Sequence, residues 1–266
     1  MGRTTAEPHT LAEYIEWHRS VLERGVEADL RYYEIVVREM RRRFEQSDFW
    51  TELCARTHTW AQGYYDRTTY ALWASDEPPK LLAKSKDSFV LKVFRKNVLE
   101  NQRFPEPPEG GWYVSANWFA RTNDIVRSCL VVRYLDGVEE VCECALGLAQ
   151  DLGYELTTSF EAREEGYYAA HMSLLSFEFR VPSRNWDYTG LTAPVELQVT
   201  TQVKDVIRDL THRFYEVRRM RPRIATRKWQ WDYEGDDFAA NYLGHTLHYL
   251  EGTIMDVRER AKRMGD

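Results

Sequence analysis

The 266-residue sequence predicts an α+β fold, with helices toward both ends and short strands gathered in the middle. Three observations lead there. Leu30, Tyr33, Val37, Met40 and Phe44 recur at i, i+3, i+7, i+10 and i+14, the apolar stripe of a long helix. Ala193–Thr201 alternates, with Val195, Leu197 and Val199 on one side and Glu196 and Gln198 on the other, the period of a strand. A β-branched run follows Asp124 within Thr122–Tyr134, a second strand with an acid at its mouth.

Composition bounds the rest. With 9 Trp, 16 Tyr and 11 Phe against 14 Gly and 9 Pro, the chain has the means to build a packed core. No apolar run approaches the roughly 18 residues of a membrane span, and the first residues lack a signal-peptide core, so a cytoplasmic protein without membrane partners is expected. Cys54, Cys129, Cys142 and Cys144 lack the paired spacing of a zinc site. The formal charge of −6 argues against general coating of nucleic acid and leaves room for a focused anion site.

In chain order, helices are expected at about 10–25, 28–47 and 50–73, the last broken by Ser75–Pro79. Around a short helix beginning near Lys80, Lys84, Lys86, Ser88, Lys92, Arg95 and Lys96 offer donors of the kind a polyphosphate needs; a solvated basic helix has the same composition. Residues 104–111 read as a loop, and a helix over 138–151 is closed by Gly153. Gly166 before Tyr167 and Tyr168 marks a tight turn with an exposed aromatic face, on which a base could stack or which could simply pack. His171–Val181 alternates as a strand, 182–194 reads as a loop, and helices follow at about 202–220 and 238–260. These last two carry Val203, Val206, Ile207, Leu210, Phe214 and Val217, and Leu243, Leu247, Leu250, Ile254 and Val257, on their apolar stripes.

Asp124 and Glu196 carry the chemistry. A carboxylate on a sheet face needs a counter-charge. Each acid could pair with one of the chain's many arginines, or the two could share a divalent cation, since Mg²⁺ takes one or two carboxylates plus substrate phosphates.

The order of a Lys/Ser-rich helix, the Asp124 strand, the Gly166-Tyr167…His171 turn, the Glu196-Leu197-Gln198 strand and His212…Tyr215 resembles the RelA/SpoT synthetase family over about residues 80–220. These enzymes move the β,γ-pyrophosphate of ATP onto a ribose 3′-hydroxyl. The resemblance implies a nucleotidyltransferase-like mixed β-sheet flanked by helices, as a core (80–220) between a helical N-terminal region (1–79) and a C-terminal helical extension (221–266). It further implies that Asp124 and Glu196 hold Mg²⁺ and that Glu196 activates the acceptor. Lys84, Lys86, Ser88, Lys92 and Arg95 would bind ATP, and Tyr167, His171 and Gln198 the acceptor. The chain lacks the hydrolase motif and regulatory regions of long members and is similar to the small synthetases. Purine nucleotides are the implied substrates. tRNA is an alternative acceptor, reached through Arg218, Arg219, Arg221, Arg223, Arg227 and Lys228 or through Arg41–Arg43. An antitoxin or a second copy is the implied protein partner. Two departures stand out: Cys129 and Thr200 occupy positions where the family carries arginine, which also suits a nucleotide-binding member without activity.

Overall fold

The computed structural model describes residues 7–21, 26–185, 187–219 and 228–265. Its centre is a mixed five-stranded sheet: β1 (Leu81–Ala83), β2 (Val126–Val132), β3 (Leu156–Ala162), β4 (Tyr168–Pro182) and β5 (Tyr188–Thr201), in spatial order β1-β2-β5-β4-β3. Only the β2–β5 pairing is parallel. The helices are α1 (Leu11–Val21), α2 (Val26–Glu45), α3 (Asp48–Thr68), α4 (Lys86–Phe94), α5 (Asp136–Leu152), α6 (Gln202–Arg219) and α7 (Asp236–Gly265).

The register divides the sheet into two faces. Arg127 lies opposite Glu196 and Cys129 opposite Gln198, while His171 faces Gln198 and Ser173 faces Glu196 from β4. Directly paired residues share a face, so these six line one polar side. The alternate residues, among them Val126, Leu130, Val195, Leu197, Val199 and Met172, are buried on the other. There α2 and α5 pack against the strands and share one core with them. Phe44 of α2, for example, meets Phe177 edge-on at 5.1 Å. The stripe read in the sequence of α2 is buried throughout. Burial of apolar surface stabilises by about 25 cal/mol per Å², so this face is where the hydrophobic effect holds the sheet.

Several boundaries differ from expectation. Lys80 does not open a helix: the backbone runs as β1, and α4 begins at Lys86 behind an N-cap in which Ser85 Oγ accepts from the Ser88 amide. A π-helical turn, Arg95–Leu99, then carries buried Asn97, which binds both the Tyr14 hydroxyl and the Tyr113 backbone. Helix α3 stops at Thr68, where Thr69 turns left-handed at φ 63°. Strand β3 was not expected. It is an edge strand of half-exposed residues with little apolar contrast. The expected loop 182–194 shrinks to a short connection, because β5 already starts at Tyr188 and pairs along β4. Pro194 falls at the β4–β5 register shift between Leu174 and Phe177, where a strand tolerates proline.

The last two helices depart most. Val206, Leu210 and Phe214 of α6 and Leu243, Leu250 and Val257 of α7 are exposed, and Val203, Ile207, Leu247 and Ile254 of the same expected stripes are only half-buried. The side chain of Val217 lies outside the described residues. What α7 buries is polar or small: Ala240, Asn241, Gly244, Glu251 and Arg258. Arg258 pairs with Asp136 at 3.0 Å, and its guanidinium lies 4.1 Å from the Tyr70 ring and 4.3 Å from the Tyr134 ring. Replacing it should therefore cost more than a surface charge would. Arg258→Ala is expected to lower unfolding stability by about 1–3 kcal/mol from the lost cation–π and ion-pair contacts. Arg258→Lys should recover less than half, since an ammonium cannot stack between two rings. Urea midpoints at matched m-values measure both.

Candidate active site

The site grows from an acid at the mouth of β2 and a strand position on the polar face of β5. Asp124 lies two residues before β2. One carboxylate oxygen accepts from Lys84 Nζ and the other from Lys92 Nζ, each at 2.8 Å. Lys84 comes from the segment after β1, whose amide bonds the Ile125 carbonyl at 2.8 Å, and Lys92 from one face of α4. Tyr33 of α2 donates its hydroxyl to the Lys84 carbonyl at 2.9 Å and stacks on Phe89 at 4.1 Å. The core helix thus fixes the height of the lysine. Burial alone would raise the Asp124 pKa, but the charges and hydrogen bonds of Lys92 and Lys84 outweigh it and hold the carboxyl well below the usual range. Burial also lowers the pKa of Lys84, with Asp124 opposing.

The second centre spans β4 and β5. Glu196 Oε1 bonds His171 Nδ1 at 2.9 Å, His171 Nε2 bonds the Tyr167 hydroxyl at 2.8 Å, and Gln198 Nε2 donates to that hydroxyl at 2.9 Å. Its hydrogen bond to Glu196 raises the His171 pKa, against desolvation. Burial, followed by the charge of Glu161, raises that of Tyr167. With Nδ1 facing a carboxylate, the neutral ring carries its proton there and accepts from Tyr167 at Nε2. Tyr167 enters from the turn closed by the Gly166 amide on the Arg163 carbonyl, with Gly166 at φ 77°.

The residues singled out from sequence divide as follows. Asp124, Lys84 and Lys92 form one group, and Glu196, His171, Tyr167 and Gln198 another. The β2–β5 pairing, which sets Arg127 against Glu196, joins them. Ser88 lies one helical turn before Lys92, and Arg95 three residues after it, on the same side of α4 and its continuation; Arg95 binds Glu100 at 3.1 Å. Lys86 points elsewhere, toward Glu34 of α2 at 3.6 Å. The side chains of His212 and Tyr215 lie outside the described residues, as do Arg221, Arg223 and Arg227 and the side chains of Arg218 and Arg219.

Two further arginines stand at the site, and sequence reasoning missed one of them, Arg208. Arg208 of α6 brings Nη1 to 3.3 Å from the sulfur of Cys129, so a guanidinium stands over a position where the resemblance expects one from the strand itself. Arg163 lies 5.1 Å over the Tyr167 ring and pairs with Glu161. Arg208 could not be found from the sequence, because a helix contact across 79 residues leaves no local pattern. Thr200 is buried. Among the described residues, no group of three or more His, Cys, Asp or Glu side chains forms a metal cage.

No family model matches the chain, and no curated protein matches its sequence. Solved structures do match. Small alarmone synthetase 1 from Bacillus subtilis aligns over 80% of this chain and 92% of its own, with TM-score 0.52 and 13% identity. The same protein bound to its product pppGpp aligns over 83% and 97%, again with TM-score 0.52 and 13% identity. The chain has the small alarmone synthetase fold. The five-stranded mixed sheet and its flanking helices are the elements that match that fold. Among the described residues, no helix is long and apolar enough to cross a membrane.

The lysine clamp sets a pH-dependent expectation. Because the folded pKa of Asp124 is depressed, its contribution is complete above the unfolded carboxyl pKa of about 4 and fades as pH falls below it. Asp124→Asn should destabilise by on the order of 2–3 kcal/mol at pH 7, less than the about 3–5 kcal/mol of a fully buried broken pair. The difference from the parent should narrow at pH 3. Denaturant titrations at the two pH values decide it.

Proposed function

We propose that the protein is an ATP-dependent pyrophosphokinase that transfers the β,γ-pyrophosphate of ATP to the ribose 3′-hydroxyl of a purine nucleotide, making alarmones of the (p)ppGpp or (p)ppApp type. The observation that carries this reading is an Asp124 clamped by two lysines at the mouth of β2, with a hydrogen-bonded Glu196–His171–Tyr167–Gln198 row built on β5, the strand paired with β2. The fold of the small alarmone synthetases supports it.

In this reading Lys84 and Lys92 leave Asp124 for the triphosphate, with Ser88 and Arg95 along the same side of the helix. Lys86, turned toward Glu34, takes no part in the resting geometry. The base stacks at Tyr167 beside Arg163, and His171 and Gln198 fix the ring that receives it. Glu196 accepts the proton of the 3′-hydroxyl as its oxygen attacks the β-phosphorus; the bond to the α-phosphate oxygen breaks and AMP leaves. Catalysis is positioning and charge neutralisation, with little covalent chemistry by the protein. Oxygen-only donors and an ionised Asp124 fit a hard cation, so Asp124 and Glu196 would hold Mg²⁺, which would neutralise charge on the transferring group.

Cys129 and Thr200 in place of arginines favour a second reading, a nucleotide-binding protein without transfer activity. Arg208 over Cys129 weighs against it. A tRNA acceptor gains little from Arg42 and Arg43, both of which are engaged by Glu39.

The test is transfer of label from [γ-³²P]ATP with Mg²⁺ to GDP, GTP, AMP, ATP or deacylated tRNA. Label is expected on one purine nucleotide. Asp124→Ala and Glu196→Ala should each lower the rate by about 100-fold or more, the scale for groups acting in the transition state. Label on tRNA alone, or on no acceptor while a known synthetase works in parallel, would overturn the reading.

A further inference from the structure

The acceptor side of the face is built on a turn, and that turn leans on the C-terminal helix. Two glycines meet there without side chains. A Cβ on Gly166 would sit 2.5 Å from the Asn241 carbonyl oxygen and 3.0 Å from the His245 amide nitrogen. A Cβ on Gly244 would sit 2.5 Å from the Gly166 carbonyl oxygen. Real Cβ atoms do not approach that closely, so backbone rests directly on backbone. Around this contact the turn is fastened from several directions. His245 Nε2 bonds the Glu164 carbonyl at 2.9 Å and its Nδ1 bonds the Tyr168 hydroxyl at 2.9 Å. The Tyr168 ring stacks on His248 at 3.7 Å and 10°. Lys204 of α6 donates to the Gly244 carbonyl while its ammonium lies 4.6 Å from the Tyr168 ring centroid.

Tyr168 and Tyr167 are neighbours at the start of β4, and successive side chains leave a strand on opposite sides. A grip on Tyr168 from α7 therefore sets which way Tyr167 faces, and Tyr167 is joined to His171 and Gln198. The lysine clamp on Asp124 is instead built from α4 and from the segments after β1 and before β2, with Tyr33 of α2 behind Lys84.

We propose that α7 is a working part of the acceptor subsite, with Gly244 as the positioning residue that, through its backbone contact with Gly166, sets the Arg163–Tyr168 turn and so the Tyr167 ring. The proposal rests on the reading of this face as the acceptor side of a pyrophosphokinase. It assigns acceptor binding, and not donor binding, to a helix that begins 68 residues further along the chain than the end of the turn.

Three variants test it. Gly244→Ala forces the two backbones apart. His245→Ala leaves the backbone contact and removes the staple on Tyr168, serving also if Gly244→Ala folds poorly. Gly252→Ala, on the same helix where a Cβ meets nothing within 4 Å, is the control. Steady-state kinetics with ATP and the labelled acceptor are combined with hydrogen exchange of residues 163–168. Gly244→Ala and His245→Ala are expected to raise the acceptor KM about tenfold or more while the ATP KM changes less than about twofold, because displacement of a positioning group by about an ångström is costly. Exchange at 163–168 should quicken, that of β2 and α4 should not, and Gly252→Ala should match the parent. Equal changes in both KM values, or an unchanged acceptor KM in a folded variant whose turn exchanges faster, would overturn the proposal. Failure of the parent protein to transfer to any acceptor would refute the pyrophosphokinase reading instead. Calorimetry with GDP would then still judge α7: affinity lost in His245→Ala supports its role, and affinity unchanged or absent in the parent overturns it.

Discussion

Asp124 meets the rest of the molecule through two ammonium groups, and three half-buried charges of net +1 constrain everything placed around them. Such a cluster is costly in a medium of low dielectric unless each charge is held by the others. It is held here by elements far apart in sequence: the strand mouth, the residue after β1 and one face of α4, with the Tyr33 hydroxyl of α2 supporting the Lys84 backbone. A net positive cluster with a half-open rim attracts an anion, and a polyphosphate can take over both lysines and leave the carboxylate to a cation.

The second half of the site follows from strand register. Because β2 and β5 run parallel and in a register that sets Arg127 beside Glu196, the acid of β5 lies next to the strand that Asp124 introduces. Because β4 runs antiparallel on the other side, His171 reaches Glu196 and carries Tyr167 with it. A slip of one residue would turn every one of these side chains into the apolar core. The buried valines and leucines of the opposite face thereby hold the functional residues in place without touching any ligand.

Much of this was legible in the sequence where periodicity and chemistry coincided. The stripe of α2, the alternation of Val195–Val199, and Lys84 and Lys92 near an acidic strand mouth are local patterns with local causes. What escaped was set by tertiary contact. Strand β3 is a half-exposed edge with little contrast between faces, and the start of β5 is polar and exposed. Lys86 has the same chemistry as Lys84 and Lys92, but its place on α4 turns it toward Glu34. Arg208 reaches Cys129 only because α6 packs beside β2. The apolar stripes of α6 and α7 suggested buried faces, yet α7 docks through glycine, histidine, glutamate and arginine, a combination that no hydrophobic period announces.

If Asp124 and the triphosphate compete for the same two lysines, removing the carboxylate should act in opposite directions with and without a divalent cation. Calorimetric titration of a non-hydrolysable ATP analogue into the parent protein and Asp124→Asn tests this most directly. In chelator, the variant is expected to bind more tightly, because its lysines are already released. With Mg²⁺ present, it is expected to bind more weakly, because a ligand of the cation has been lost. A change of the same sign under both conditions, or none under either, would contradict the view that this carboxylate organises the site.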